Sequence, residues 1–124
     1  MNLHLERDLA VSLEQVQANF ARYELLDDQV KFLKGWFRDT LPDSPVEALA
    51  VMRLDGDLYE STMDALVALW PKLSTGGFAI IDDYHSVPAC GDAVNDFRQA
   101  NNIATPMEFI QGGGVFWRKQ PTIP

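Results

Sequence analysis

The chain has 124 residues, of which 47% are hydrophobic and 23% charged, and its formal net charge is −8 at pH 7. This length fits one folded domain, and the acidic excess excludes the usual nucleic-acid and anionic-membrane binders, which need a basic face. A single cysteine, Cys90, excludes an internal disulfide, and the lack of any apolar run near the roughly 18 residues of a membrane span predicts a cytoplasmic protein without a membrane partner.

The first predicted element is a helix over residues 12–25, with Ser12 as its N-cap and Gln15 completing a capping box. Alternating apolar and polar residues then predict a short strand over 30–34. Two prolines in the segment 38–47 indicate a short helix or a loop.

The rest of the chain alternates between strands and helices. The predicted elements are a strand over 48–54, a helix over 60–72, a turn at 74–77, a strand over 77–82, a helix over 89–101 and strands over 107–110 and 114–118. This alternation favours an α/β fold with a largely parallel sheet, and the glycine turn predicts that the last two strands form an antiparallel hairpin. The residues predicted to face the core are Met63, Leu66, Val67 and Trp70 on the first of these helices and Ala93, Val94 and Phe97 on the second.

Acidic residues follow two successive predicted strands. Asp55 and Asp57 bracket Gly56 after the first strand, and the pair Asp82 and Asp83 ends the second. A right-handed crossover would bring Asp55 and Asp82 to one edge of the sheet, about 5 Å apart if the strands are neighbours. Carboxylates converging there suit Mg²⁺ or Ca²⁺. The alternative is that these residues only cap the next helix and form turns.

Three segments together resemble the macrocin O-methyltransferase family: "VKFLKGWFRDTLPDSP", "LAVMRLDGDLYESTMDALVALWPKLSTGGFAIIDDY" and "GVFWRK". Members of that family are Mg²⁺-dependent enzymes that use S-adenosylmethionine to methylate sugar hydroxyls of macrolides and related natural products. The resemblance covers about residues 12–119. It implies that Asp55, Asp82 and Asp83 hold Mg²⁺ or another divalent cation, with Asp55 also as the general base. It implies no such role for Asp57, which we expect to cap the next helix.

The resemblance also implies that Gly35, Trp36 and Phe37 lie at the adenine pocket of the cofactor site. Tyr59, just past the first acidic turn, either faces the substrate or supports that loop. His85 is either a solvated loop residue or a base beside the acidic pair. No glycine precedes Ser12, so we expect residues 1–124 to form one domain that lacks the N-terminal glycine-rich half of the cofactor site.

These inferences favour the C-terminal half of a Rossmann-like methyltransferase fold. The expected function is that of an O-methyltransferase acting on a glycosylated small molecule, incomplete as an enzyme without its other half. The alternative is a non-enzymatic half-domain that binds a divalent cation or oligomerises, or a truncated fragment. Without its usual neighbours the predicted strand 30–34 lacks a partner, so we expect a homodimer or higher oligomer with exchanged strands as one solution.

Overall fold

The computed structural model describes residues 11–122 of the chain. The chain divides before Gly35 into two compact units. Among the described residues, the first unit holds a single helix and the second holds a four-stranded sheet with its helices. None of the described helices is both long enough and apolar enough to cross a membrane.

The helix of the first unit is α1 (Leu13–Arg22). Ser12 caps it as predicted, because the Ser12 hydroxyl accepts a hydrogen bond from the Gln15 N–H at 3.0 Å. The second half of the predicted capping box does not form, since the Gln15 side chain donates to Asn19 instead. The helix ends three residues earlier than predicted, and Glu24 then takes a positive φ of 60°.

The predicted strand over 30–34 is wrong, because the backbone of this segment has no regular secondary structure. Its alternating pattern is instead explained in part by Phe32, whose ring packs edge-on against that of Phe20 with centroids 5.5 Å apart. A strand needs a neighbour to satisfy its backbone N–H and C=O groups. An alternating pattern fixes which side chains share a face, but it cannot supply that neighbour.

The sheet lies in the second unit. Its strands are β1 (Leu49–Leu54), β2 (Leu73–Ile81), β3 (Glu108–Ile110) and β4 (Gly114–Arg118), in the order β1-β2-β4-β3. β1 and β2 run parallel, whereas β2 with β4 and β4 with β3 run antiparallel. The predicted C-terminal hairpin is therefore confirmed. The parallel part of the described sheet is the β1–β2 pair, at whose ends the acidic residues lie.

The helices of the second unit are α2 (Phe37–Thr40), α3 (Tyr59–Leu69) and α4 (Pro88–Ala100), and a short 3₁₀ helix (Trp70–Lys72) follows α3. Pro71 lacks a backbone N–H, which explains why α3 does not continue to 72 as predicted. The buried residues of α3 are Thr62, Ala65 and Leu66, and those of α4 include the predicted Ala93, Val94 and Phe97. The prediction for Val67 is wrong, because this side chain is 59% exposed.

The predicted turn at 74–77 is also wrong, because β2 already begins at Leu73. The glycines there allow a close approach between backbones. A Cβ atom on Gly77 would lie 2.6 Å from the carbonyl oxygen of Ala50, which no real side chain tolerates. Gly77 also accepts a hydrogen bond from the Lys119 N–H at 2.8 Å. The glycine pair therefore lets β2 run close to its neighbours instead of ending it.

The core of the second unit lies between one face of the sheet and the helices α3 and α4. Every second strand residue points to this side, as pleated strands require. The buried residues are Met52, Leu54, Ala79, Ile81, Val115 and Trp117 from the sheet, with Leu66, Val94 and Phe97 from the helices. We refer to this as the inner face of the sheet.

Candidate active site

The two parallel strands end side by side, which brings the acids that follow them to one edge of the sheet. The Asp82 N–H donates a hydrogen bond to the carbonyl of Leu54 at 3.0 Å, so the ladder extends to the ends of both strands. Asp55 comes directly after Leu54, and Asp83 directly after Asp82. Both strands therefore deliver carboxylates to the same edge, as the sequence predicts.

Three of these carboxylates form a cluster, which we call the acidic cluster. Asp55, Asp57 and Asp83 each offer one oxygen, and these oxygens lie within 4.8 Å of one another. Asp55 and Asp57 are exposed, but the Oδ2 atom of Asp83 is buried without a hydrogen-bond partner among the described residues. A buried carboxylate oxygen is unfavourable without a proton, a donor or a cation beside it.

The electrostatics of the cluster follow from this arrangement. Burial, together with the nearby carboxylates of Asp55 and Asp57, raises the pKa of Asp83 to about 6. Both causes disfavour a third negative charge in the same space. A hard cation would relieve the repulsion, and the cluster offers only oxygen ligands, which is the donor set of Mg²⁺ and Ca²⁺. The residues present therefore fit a divalent cation.

The first turn of α3 fixes the backbone between two of these acids. Thr62 is 1% exposed, and its hydroxyl donates to the Gly56 carbonyl at 3.1 Å. A Cβ atom on Gly56 would lie 3.1 Å from the Ser61 hydroxyl oxygen, so the turn sits tightly on the helix. This close fit holds Asp55 and Asp57 on the same side of the turn.

Sequence reasoning missed the position of Asp57. The prediction that it caps the next helix is wrong, because the N-cap of α3 is Leu58 and has no side-chain cap. The signal in the sequence was the spacing, since Asp57 follows Asp55 across a single glycine after a strand. Because aspartate commonly caps helices, capping is the expected reason for Asp57 at this position, and that explanation is incorrect.

Asp82 has a different environment from its neighbours. The Arg53 guanidinium donates to both of its carboxylate oxygens, with Nη2 2.7 Å from Oδ2 and Nε 3.1 Å from each oxygen. Such forked pairing is the strong geometry for arginine and carboxylate. The structure therefore brings Asp55 together with Asp83, which the family resemblance implies, and directs the Asp82 side chain to Arg53.

Gly35, Trp36 and Phe37 lie at the start of the second unit. Gly35 has a φ of +138°, and a Cβ atom there would lie 2.9 Å from the Thr40 methyl group, so this position requires glycine. Trp36 is 72% exposed, and both aromatic side chains line a surface depression of about 260 Å³. The Phe37 ring lies 3.6 Å from the Cβ position of Gly56, so the depression adjoins the turn between the acids.

Tyr59 is the first residue of α3. Its hydroxyl donates to the Asp96 carboxylate of α4 at 2.7 Å, and this hydrogen bond raises the pKa of the phenol. The contact ties the two helices together. This is a structural contact between helices, and a substrate contact by Tyr59 stays a prediction.

Two further titratable residues, His85 and Cys90, lie outside the acidic cluster. The His85 ring packs between those of Tyr84 and Phe109, with centroids 4.8 and 5.0 Å away. Cys90 is 1% exposed, and burial raises the pKa of its thiol. It is therefore a packed core residue whose thiol stays protonated more readily than a free one.

Comparison with known proteins finds a match over nearly the whole chain. The profile of the family described as macrocin-O-methyltransferase (TylF) matches residues 1–119. The chain is 63% identical over 119 residues to the 8-demethyl-8-(2,3-dimethoxy-alpha-L-rhamnosyl)-tetracenomycin-C 4'-O-methyltransferase of Streptomyces olivaceus. It is 54% identical over 122 residues to the mycinamicin III 3''-O-methyltransferase of Micromonospora griseorubida.

These alignments cover 95% and 96% of this chain but 45% and 48% of the two relatives. The chain therefore spans about half the length of the curated relatives it matches. Among solved structures, the O-methyltransferase NovP is 53% identical and superposes with a TM-score of 0.89, over 91% of this chain and 47% of NovP. The calicheamicin methyltransferase CalS11 is 25% identical, with a TM-score of 0.58 over 68% of this chain and 35% of CalS11.

Proposed function

Because this chain belongs to the macrocin-O-methyltransferase family, we propose that it supplies part of the active site of an S-adenosylmethionine-dependent O-methyltransferase. The acceptor in this proposal is a sugar hydroxyl of a glycosylated natural product. The observation that carries the proposal is the acidic cluster, in which Asp83 has a buried oxygen without a partner among the described residues. A cation bound beside Asp83 and the two further carboxylates would be balanced by their negative charge. Such a cation could bind and activate a hydroxyl.

The proposed metal ligands come from two sources. The geometry favours Asp55, Asp57 and Asp83, and the family resemblance favours Asp55, Asp82 and Asp83. The first set contains Asp57 and the second contains Asp82, which would have to leave Arg53 to bind the cation. When bound, Mg²⁺ or another divalent cation would lower the pKa of a hydroxyl in contact with it.

Asp55 is the proposed general base. Its carboxylate is exposed and belongs to the cluster, so an acceptor hydroxyl can approach it from solvent. Asp55 receives the hydroxyl proton as the hydroxyl oxygen bonds to the methyl carbon and the carbon–sulfur bond of the donor opens. The proton then lies on Asp55, the methyl group lies on the acceptor oxygen and the donor sulfur is neutral, so the step needs no further reactant.

Gly35, Trp36 and Phe37 are the proposed contacts for the adenine of S-adenosylmethionine. Two partly exposed aromatic side chains beside a depression offer the flat apolar surface on which a heteroaromatic ring stacks. Phe37 lies close to the Gly56 turn, so a cofactor seated there would be held near the acidic cluster. Orientation of donor and acceptor supplies much of the rate of such a transfer.

The test of this proposal is calorimetric titration of the full chain, first with Mg²⁺ alone and then with S-adenosylmethionine in its presence. We expect Asp83→Asn to weaken Mg²⁺ binding by at least about tenfold, because the variant removes a charged ligand from the cluster. Asp43→Asn removes the same charge from an exposed loop position and is the matched control.

The two candidate functions separate at the second titration. Saturable S-adenosylmethionine binding supports the methyltransferase proposal. Mg²⁺ binding without any heat from the cofactor would favour the rival proposal of a cation-binding module. This rival is worth testing because the chain spans about half the length of its relatives. Absence of Mg²⁺ binding would refute the assignment of the acidic cluster.

A further inference from the structure

Each side of the acidic cluster is followed closely in the chain by a tyrosine. Tyr59 lies two residues after Asp57 and opens α3, and Tyr84 lies directly after Asp83. Asp57 comes after β1, whereas Asp83 comes after β2. The attachments of the two tyrosine side chains therefore affect where the two sides of the cluster lie.

Both tyrosine hydroxyls bind neighbouring residues of α4. The Tyr59 hydroxyl donates to Oδ2 of Asp96 at 2.7 Å, and the Tyr84 hydroxyl donates to Oδ1 of Asn95 at 2.6 Å. These are the distances of well-formed hydrogen bonds from a hydroxyl donor. One helix thus accepts a hydrogen bond from each side of the acidic cluster.

α3 is held to α4 by different contacts at its two ends. Where α3 runs into the 3₁₀ helix, the Trp70 ring packs edge-on against that of Phe97, with centroids 6.1 Å apart. At the end beside the cluster, the N-cap Leu58 has no side-chain hydrogen bond. Among the described residues, the bond from Tyr59 to Asp96 is the one side-chain hydrogen bond between α3 and α4. It therefore links the end of α3 beside the cluster to α4.

The turn that carries two of the acids is fixed to that same end of α3. The Thr62 hydroxyl donates to the Gly56 carbonyl at 3.1 Å, and the Thr62 N–H donates to the Leu58 carbonyl at 3.0 Å. Gly56 lies between Asp55 and Asp57. A displacement of this end of α3 would therefore move the turn and its carboxylates with it.

We propose that Asp96 is a positioning residue of the metal site, because its hydrogen bond from Tyr59 holds the Asp55–Asp57 turn at its distance from Asp83. The inference rests on the proposed function, in which the acidic cluster binds a divalent cation. The cluster oxygens lie within 4.8 Å of one another, and Mg²⁺ demands near-ideal ligand geometry. A shift of about 0.5 Å in one turn is therefore enough to weaken binding.

The experiment measures the dissociation constant of Mn²⁺ for the full chain by electron paramagnetic resonance. Asp96→Leu removes a negative charge and the acceptor, whereas Asp96→Asn removes the same charge and keeps an oxygen that can accept from Tyr59. We expect Asp96→Leu to weaken Mn²⁺ binding by about fivefold or more, the effect of losing one hydrogen bond. Asp96→Asn should stay within about twofold of the unchanged chain, because an exposed charge outside the cluster is screened.

Tyr59→Phe removes the donor without changing any charge, and it is the second variant if Asp96→Leu does not fold by circular dichroism. It should weaken Mn²⁺ binding by about fivefold as well. In the Tyr59→Phe protein, Asp96→Leu and Asp96→Asn should bind Mn²⁺ equally, since no donor remains for the amide oxygen. Gln99→Gly, at an exposed position of α4, lowers helix stability by propensity alone and should leave the affinity within about twofold.

Hydrogen exchange of the Thr62 amide, followed by NMR in the cation-free chain, tests the attachment without any metal. This amide should exchange at least about threefold faster in Asp96→Leu and Tyr59→Phe than in Asp96→Asn, because the end of α3 opens more often.

The outcomes separate this proposal from the proposed function. Equal Mn²⁺ binding by Asp96→Leu and Asp96→Asn would overturn the positioning role and leave the metal site in place. Unaltered exchange at Thr62, or a loss of affinity in Gln99→Gly equal to that in Asp96→Leu, would do the same. Absence of Mn²⁺ binding by the unchanged chain would refute the proposed function itself, and the positioning role with it.

Discussion

Arg53 holds both carboxylate oxygens of Asp82, whereas the next residue, Asp83, has a buried oxygen with no partner among the described residues. Two adjacent acids at the end of β2 thus have opposite environments. The charge of Asp82 is balanced by a cation of the protein. The charge of Asp83 is left for a proton or for a cation from solution. This contrast determines how the site should respond to substitution and to pH.

Arg53→Met is expected to tighten divalent-cation binding. The change removes a positive charge beside the acidic cluster and frees the Asp82 carboxylate to act as a ligand. We expect the dissociation constant for Mn²⁺, measured by electron paramagnetic resonance, to fall by about threefold to tenfold, a gain of about 1 kcal/mol. Arg118→Met removes the same charge on β4, outside the cluster, and is the control. Unchanged or weaker Mn²⁺ binding by Arg53→Met would show that Asp82 does not join the metal ligands.

Asp83→Asn is expected to stabilise the cation-free protein at pH 7.5. The pKa of Asp83 is raised to about 6 in the folded protein, so the folded state holds this proton more tightly than the unfolded chain does. That stabilisation is present at low pH and is lost as the pH rises through about 6, because the folded state must then carry the unfavourable charge. The variant avoids this loss. Its melting temperature should exceed that of the unchanged chain at pH 7.5, and the difference should vanish near pH 4.

Added Mg²⁺ provides the internal control for this effect. At pH 7.5 the cation should raise the melting temperature of the unchanged chain, since it neutralises Asp83, and should do little for Asp83→Asn. A pH-independent difference between the two proteins would contradict the assigned cause. Asp43→Asn should show neither effect.

Thr62→Val is expected to weaken both the fold and the metal site. The variant keeps the shape of the buried side chain but removes the hydroxyl that donates to the Gly56 carbonyl. The free energy of unfolding in urea should fall by about 1–3 kcal/mol, the usual consequence of leaving a buried polar group without its partner. Mg²⁺ affinity should also fall, because the turn between Asp55 and Asp57 is no longer fixed. Thr40→Val, which removes a hydroxyl that donates to the Trp36 carbonyl outside the acidic cluster, should leave the affinity unchanged.

Trp36→Ala is expected to reduce S-adenosylmethionine binding without reducing stability. The side chain is 72% exposed, so its loss costs the fold little, but it removes the larger aromatic surface of the depression. Calorimetric affinity for the cofactor should fall by about tenfold, in line with the loss of one aromatic stacking contact. Tyr23→Ala, at a 66% exposed aromatic position in the first unit, is the control. Equal affinities of Trp36→Ala and the unchanged chain would remove the depression from the cofactor site.

The sequence was a good guide wherever a local pattern and its tertiary surroundings agree. The parallel pair of strands, the C-terminal hairpin and the inward residues of α4 follow from periodicity and glycine placement, and the structure has them all. The segment 30–34 shows where this reasoning fails. Its alternation suits a strand, but strand formation depends on a neighbour, and periodicity carries no information about whether one is available.

The candidate site was predicted in part for a related reason. Strand ends and crossover handedness predict that Asp55 and Asp82 reach one edge of the sheet, whereas the place of Asp83 beside Asp55 was implied only by the family resemblance. They do not predict side-chain partners. Arg53 points away from the inner face of the sheet by alternation, and the side-chain hydrogen bonds of the folded structure show that it reaches Asp82. The position of the Asp57 carboxylate depends on how closely Gly56 packs against Ser61 and Thr62. Differences of tenths of an ångström decide this packing.

The hydrogen bond from the Asp82 N–H to the Leu54 carbonyl has a consequence for motion at the site. It extends the ladder of a central strand to the acids after β2, and amides in such ladders exchange their hydrogens slowly because they open only with much of the domain. The acids after β1 lie instead on a turn before a helix whose N-cap has no side-chain hydrogen bond. Asp83 should thus keep its place while the Asp55–Asp57 turn opens more often. A site built this way can admit ions and hydroxyls of different size by adjusting one side against a fixed opposite side.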